Sequence, residues 1–212
     1  MSLSLYTAHQ HLESTHWTGL PTAAALWLLA DALKRGSWPQ GLWVIVPTEE
    51  DIESTVQQLQ FWLDSTLEVH IYPADEEDTF SGLSPMSKVV RQRIITSRAW
   101  YTQRCVVVSS VFGRLHPMLS ETVLEQAVVE VAINDTHDPS ALAEQLQGIG
   151  YQLTAMPEQP GELLLRGDTM IVWANGARAP ARVSFFDDEV DGIELKQEEQ
   201  WVDKGALTLL PA

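Results

Sequence analysis

The sequence predicts a two-part chain: an α/β domain built on a parallel sheet, followed by a small α+β domain whose sheet is mostly antiparallel. Three observations predict it. Before Pro117, short apolar runs alternate with stretches of helical periodicity, as parallel strands joined by crossover helices require. After it, one helical stretch is followed by strand-like runs separated by turn residues. The charge shifts at the same place, since residues 1–114 hold 8 basic and 12 acidic side chains and residues 115–212 hold 5 and 17.

In the first part, a helix can begin near Pro21 and Thr22, present Leu26, Leu29 and Leu33 on one face, and end at Gly36. Leu42 to Val46 (LWVIV) reads as a buried strand ended by Pro47. Thr48 then offers an N-cap, with Glu49, Glu50 and Asp51 complementing the helix dipole and Ile52, Val56, Leu59 and Leu63 following at helical spacing. Val69 to Tyr72 is a second short strand, Val89 to Tyr101 a helix, and Cys105 to Val108 a third strand.

In the second part, a polar segment leads to a strand-like stretch, Ala127 to Ile133, and then to the turn-forming run NDTHDPS. Asp138 and Pro139 suit an N-cap and a first helical position, and the helix through Leu142 and Leu146 stops at Gly148 or Gly150. Strands follow at Gly161 to Arg166, Thr169 to Trp173, Ala181 to Phe186 and Val190 to Leu195. The predicted boundary lies near residues 117–122. This gives a first domain over 1–119, a second over 120–200, and a segment 201–212 that returns to the first.

Composition narrows the function classes. With 212 residues, 45% of them hydrophobic, the chain can bury a substantial core. Its longest apolar run, Ala23 to Ala30, is broken by Asp31 and falls short of the ~20 residues that span a bilayer, so no membrane partner is expected. The start, MSLSLYTAHQHLE, lacks a basic stretch followed by an apolar one, and a cytoplasmic location is expected. A net charge of −16 opposes autonomous binding to nucleic acid, which leaves DNA to be reached only through partners. Cys105, alone of its type, excludes an intrachain disulfide and reads as a buried, reduced thiol in the run CVVV.

Catalytic motifs fare no better. A phosphate-binding loop needs a second glycine, a lysine for the phosphates and a Ser or Thr for magnesium. The stretch TGLPTAAA has Gly19 without the lysine or the second glycine, and Pro21 removes a backbone N–H. His9 and His11 form an HxH pair with no further ligands at metal-site spacing. Asp75 to Asp78 and Asp187 to Glu189 lack the patterned spacing of a calcium loop and read as a solvated loop and a hairpin turn. No catalytic residue, cofactor or metal is therefore expected, and the chain reads as a non-catalytic interaction module.

The strand ARVSFFDDEV says more. Period-2 alternation puts Val183 and Phe185 on one face and Arg182, Ser184 and Phe186 on the other. The first face has the character of core. The second carries an arginine and a large aromatic, residue types that dominate interface hot spots. Between Arg114 and Arg166 there is no Lys or Arg, so Arg166, Arg178 and Arg182 stand out on an acidic background.

GELLLRG (Gly161 to Gly167), followed by SFFDDEVDGI (Ser184 to Ile193), resembles the N-terminal, UvrB-like region of the bacterial transcription-repair coupling factors, the Mfd family. Members of that family carry GE-x-x-x-RG, a hydrophobic strand, and then Arg-x-x-x-Phe-Asp-Asp-Glu-(Ile/Val)-Asp, with the two arginines sixteen residues apart as Arg166 and Arg182 are. ALAEQLQGIGY (Ala141 to Tyr151) resembles the family's helix-Gly-Tyr element, Ser84-Pro85 its SP before a helix, and Leu209 to Ala212 its LLPA. The sequence departs from the pattern at Ile171, where the family has an acidic residue, and at Trp173-Ala174, where it has Phe-Pro.

The resemblance implies a degenerate RecA-like first domain (UvrB domain 1a-like) that lacks the nucleotide loop, and a small inserted domain (UvrB domain 2-like). It implies that the inserted domain docks onto the nucleotide-excision-repair protein UvrA through Arg166, Arg182 and Phe186. The family's RNA-polymerase-binding domain and helicase motor have no counterpart in these residues. Two alternatives stay open at this point: a nucleotide-dependent DNA-remodelling subunit, and a regulatory domain that packs only within a longer chain of the same kind.

Overall fold

The structure, a computed structural model, describes residues 19–74, 87–198 and 200–212. Among these, two compact units form: residues 19–74 with Ala99–Pro117, and residues 87–98 with Met118–Ala212. The chain is mixed α/β, with a parallel sheet in the first unit and a mostly antiparallel one in the second. Among the described residues no helix is long and apolar enough to cross a membrane.

In the first unit, α1 (Thr22–Lys34), β1 (Gly41–Val46), α2 (Glu50–Leu63) and β2 (Glu68–Ile71) precede β3 (Cys105–Ser110). The three strands form a parallel sheet in the order β1-β3-β2. Every residue of β3 is buried, as expected of a central parallel strand covered on both faces, and its continuous CVVV run follows from that. Leu26 and Leu33 of α1 meet Ile52, Val56, Leu59 and Leu63 of α2 in one core cluster with Val106 and Val108. The helix expected at Pro21 thus forms, although its buried face also takes in Leu28, Ala30 and Ala32.

Local chemistry accounts for the ends of these elements. The N-cap of α2 is Glu49, without a side-chain cap, rather than the expected Thr48, whose Oγ1 donates to Asp51 Oδ2 at 2.7 Å while the same oxygen accepts the Thr48 N–H at 3.2 Å. That helix stops at Asp64, whose φ of 49° is left-handed. Gly41 opens β1 with φ +111°, and a Cβ there would lie 2.3 Å from the Cys105 carbonyl oxygen, so only glycine fits. β1 is less buried than LWVIV suggested, with Ile45 exposed, because it is the edge strand and β3 takes the centre. Trp43 on β1 donates to Ser109 Oγ at 2.7 Å and packs edge-on against Tyr72 and Trp100.

The helix α3 (Ser87–Thr102) is divided between the units, and α4 (Val111–Leu115) directly follows β3. Ser110 Oγ accepts the Gly113 N–H at 2.9 Å and caps this short helix, which the sequence reading passed over.

The second unit continues with α5 (Glu121–Ala127), β4 (Val129–Ala132), α6 (Pro139–Gly148), β5 (Gln152–Leu153), β6 (Glu162–Arg166), β7 (Thr169–Val172), β8 (Ala181–Phe186), β9 (Glu189–Gln197), β10 (Gln200–Asp203) and β11 (Ala206–Leu209). The expected strand Ala127 to Ile133 is in fact the end of α5 followed by β4, because Ser120 caps a helical turn ahead of it. Asp138 caps α6 as its sequence predicts, accepting the Ala141 N–H at 2.8 Å. Strands β10-β9-β8-β7-β6-β5 form one sheet, antiparallel except for β5 with β6, while β11 pairs with β4. Residues 201–212, expected to return to the first domain, form β10 and β11 and the stretch after them, all within the second unit.

The inner face of the large sheet packs Leu163, Met170, Val172, Val183, Phe185, Val190 and Ile193 against Leu142 and Leu146 of α6. Tyr151 joins this core to the C-terminal stretch. Its buried hydroxyl donates to the Leu210 carbonyl at 2.9 Å and accepts the Asn175 N–H at 3.3 Å, while Asn175 Nδ2 donates to the Pro211 carbonyl at 2.7 Å. Burial pushes the phenol up to about 12, so it stays a donor at all working pH values. Gly150 lies so close, with a Cβ that would stand 2.4 Å from the Ala212 carbonyl oxygen, that the LLPA segment and the helix-Gly-Tyr element form one lock.

Tyr151→Phe leaves the Leu210 carbonyl without this donor and the Asn175 N–H without this acceptor. It is expected to lower the unfolding free energy by about 1–3 kcal/mol in urea titrations, with little change in m value.

Candidate protein-docking face

The second unit's large sheet buries one face, and its other face carries the residues singled out by pattern. Along β8 the side chains alternate as expected: Ala181, Val183 and Phe185 are buried, Arg182 and Ser184 are half-buried, and Phe186 is 77% exposed. Cross-strand pairing then places the second arginine. Arg166 pairs with Thr169, and Thr169 with Ser184, the residue between Arg182 and Phe186 on that face. Directly paired residues point the same way, so Arg166, Arg182 and Phe186 share one face. Two strand spacings, ~10 Å, separate Arg166 from the β8 backbone.

Tight turns hold the edges of this arrangement. Gly167 takes φ +63° as the first of two residues linking β6 to β7, a position that favours glycine in a hairpin. Glu162, the glutamate of GELLLRG, is structural: its carboxylate accepts the Glu158 N–H at 2.7 Å and the Gln159 N–H at 3.3 Å. The hydrogen bond from Glu158, with the Gln159 side chain next, lowers its pKa below the ordinary glutamate value. Asp187 to Glu189 turn β8 into β9, with Asp187 at φ 60°, in agreement with the hairpin turn expected there.

Arg182 is held in place by its neighbours. Its Nε and Nη2 both reach Glu194 Oε2, at 2.6 and 2.5 Å, and its guanidinium carbon lies 4.8 Å from the centre of the Trp201 ring. On the opposite side its strand neighbour is Ile171. The acidic partner of Arg182 comes from β9, as Glu194. Sequence reasoning missed Glu194 and Trp201. Counting back from the Phe186 and Glu189 pair puts Ile193 opposite Arg182, but a bulge between Ser184 and Phe185 shifts the register and brings Glu194 there. The signal was present in the apolar spacing: Val190 and Ile193 are both buried, three residues apart rather than two.

Comparisons with known proteins can be set on this geometry. Residues 129–207 match the model of the UvrB interaction domain, a span from the start of β4 into β11 that contains the whole face. UvrABC system protein B of Thermotoga petrophila is 33% identical over 107 residues, 50% of this chain and 16% of that protein. The transcription-repair-coupling factor of Myxococcus xanthus is 28% identical over 135 residues, 62% of this chain and 11% of its own length. That of Escherichia coli K12 is 25% identical over 137 residues, 63% of this chain and 12% of the relative.

The chain is similar to UvrB and to the transcription-repair-coupling factors. This bears out the resemblance carried by GELLLRG and SFFDDEVDGI, both of which lie inside the span matched to the UvrB interaction domain. The chain spans less than a fifth of the length of these relatives.

Chemistry beyond that face is sparse in this UvrB-like chain. Among the described residues no three His, Cys, Asp or Glu side chains are grouped to hold a metal ion. His9, His11, Asp75 to Asp78 and Ser84-Pro85 lie outside the described residues. Gly19 keeps φ +76° ahead of α1, with exposed Leu20 and Pro21 after it. Cys105 is wholly buried on β3, and burial, with Glu68 nearby, pushes its thiol up to about 11. A protonated, enclosed thiol is a poor nucleophile. It is expected not to react with a thiol-specific disulfide reagent at pH 8 until denaturant unfolds the first unit; stoichiometric labelling of the native chain would contradict its burial.

Proposed function

We propose that this chain is a non-catalytic module of nucleotide excision repair that docks onto UvrA through the outer sheet face of its second unit, with Arg166, Arg182 and Phe186 as the contact residues. The observation that carries the reading is the placement of all three side chains on one face, with Phe186 among the exposed large hydrophobics of the unit. The similarity of residues 129–207 to the UvrB interaction domain supports an interaction role for the same unit.

The geometry suits such a contact physically. An exposed phenylalanine offers apolar area that gains by entering a partner's pocket. Glu194 and Trp201 hold Arg182 upright, which reduces the side-chain entropy lost on docking. Both contacts of Glu194 fall on Nε and Nη2, leaving Nη1 to meet a partner carboxylate or carbonyl. Arg166 stands exposed at the hairpin end of β6 and adds a second cation on the same face.

The first unit is read as a degenerate RecA-like domain. Its three parallel strands with α1 and α2 support that layout, and the Gly19 stretch, without lysine or a second glycine, supports a lost nucleotide loop. No catalytic step is assigned to it, and contact with DNA is made through partners.

The test is co-elution with purified UvrA. An Arg166→Ala and Arg182→Ala double variant is expected to abolish it, since truncating one member of a desolvated charge pair costs about 2–5 kcal/mol. Retained co-elution with an unchanged circular dichroism spectrum would sink the reading. Phe186→Ala, at a solvent-exposed position, is expected to leave thermal stability unchanged and to weaken binding roughly 30-fold, the size of a 2 kcal/mol hot spot, in a calorimetric titration.

A further inference from the structure

The second unit also contains a cavity of about 730 Å³ that the docking face does not use. Three cationic side chains are placed to reach it, Arg98 from α3, Arg178 from the loop before β8 and Lys204 from the turn between β10 and β11, whereas Lys196 of β9 borders it but pairs with Trp201 and shares the sheet face of Arg182. None of its lining residues is acidic, in a chain with 29 acidic and 13 basic side chains. A random sample of this surface would be mostly acidic. Four alanines and three leucines make up much of the remaining wall.

The cations are disposed to act outward. Arg98 is steadied 3.9 Å from Glu130. Arg178 and Lys204 are exposed and form no ion pair with another described residue. Their positions come from separate elements, and the backbone fixes the loop that carries Arg178. There Asn175 is buried and bonded to Tyr151 and Pro211, and Gly176 takes φ +86°. A concavity with one sign of charge and an apolar wall concentrates field lines and attracts a compact ion of opposite sign.

We propose that this cavity binds a small phosphate-bearing ligand, with the cations taking the phosphate and the alanine and leucine wall taking its organic part. The size lies within the 300–1,000 Å³ or so of ordinary small-molecule sites. The net charge of −16 separates a small ligand from a polynucleotide. A long polyanion would run from the cavity onto acidic surface, whereas a mononucleotide ends inside it.

The probes are AMP and inorganic pyrophosphate, titrated into the full chain by calorimetry at low and high salt. AMP is expected to bind, to be displaced by pyrophosphate, and to weaken as salt rises. Arg178→Ala with Lys204→Ala should weaken AMP at least about tenfold, or roughly 1.4 kcal/mol, while Arg178→Lys with Lys204→Arg keeps most of the affinity. Arg166→Ala, which belongs to the docking face, should leave AMP binding unchanged, so this site and the UvrA reading stand or fall separately. The proposal is overturned if AMP gives no heat at millimolar concentration, if pyrophosphate fails to displace it, if the double alanine variant binds as well as the parent, or if a single-stranded oligonucleotide binds the same residues more tightly than AMP.

Discussion

A single extra residue in β9 governs what the second unit presents to its surroundings. Pairing with β8 runs Phe186 to Glu189 and Phe185 to Val190, then skips Asp191 so that Ser184 meets Gly192 and Arg182 meets Glu194. Without that skip, Ile193 would stand beside Arg182 on the outer face and Glu194 would turn toward Met170 and Leu163 in the core. Burying an unpaired carboxylate there would cost several kcal/mol. The bulge therefore satisfies two demands with one insertion: Val190 and Ile193 both reach the core, and Arg182 acquires its ion-pair partner. Gly192, free of a side chain, lies next to the distortion where the backbone must bend.

The sheet can present one face only because the other is firmly closed. Helix α6, started by Asp138, lays Leu142 and Leu146 against the inner strands, and Tyr151 then ties the end of that helix to the last residues of the chain. Gly150 is needed on two counts, a φ of +105° and the approach of Ala212, so the helix-Gly-Tyr and LLPA segments constrain one another. Their co-occurrence in the sequence has a physical cause. Each supplies backbone groups that the other satisfies: the Ala212 N–H donates to the Ile149 carbonyl and Tyr151 donates to that of Leu210.

Much of this was legible from local signals. The Asp138 cap, the period-2 alternation of β8, and the unbroken apolar run of β3 are each set by residues within one element, and they appear where the sequence places them. The misses have a common origin in tertiary context. Ile45 reads as core but lies exposed because β1 is an edge strand, a matter of sheet order. The last strands were unreadable for a similar reason: QWVD and ALTL are four residues each, too short to show a period, and they become strands by pairing with β9 and β4. Arg182 and Phe186 could be assigned to a face from sequence, whereas Glu194 and Trp201 required the register.

The sparse cations of the second half make sense once they are located. Residues 115–212 hold five Lys and Arg side chains, of which Arg166, Arg182 and Lys196 lie on the outer sheet face while Arg178 and Lys204 line the cavity. None is spent on general solubility, which 17 carboxylates already provide. At physiological ionic strength charge is screened beyond ~8 Å, so an approaching molecule at a distance meets neither an arginine nor a lysine individually. Within that range the local sign dominates, and on the proposed docking a partner would meet an Arg182 guanidinium already oriented by Glu194 and Trp201. On the proposed docking, selectivity would therefore reside in dissociation more than in encounter.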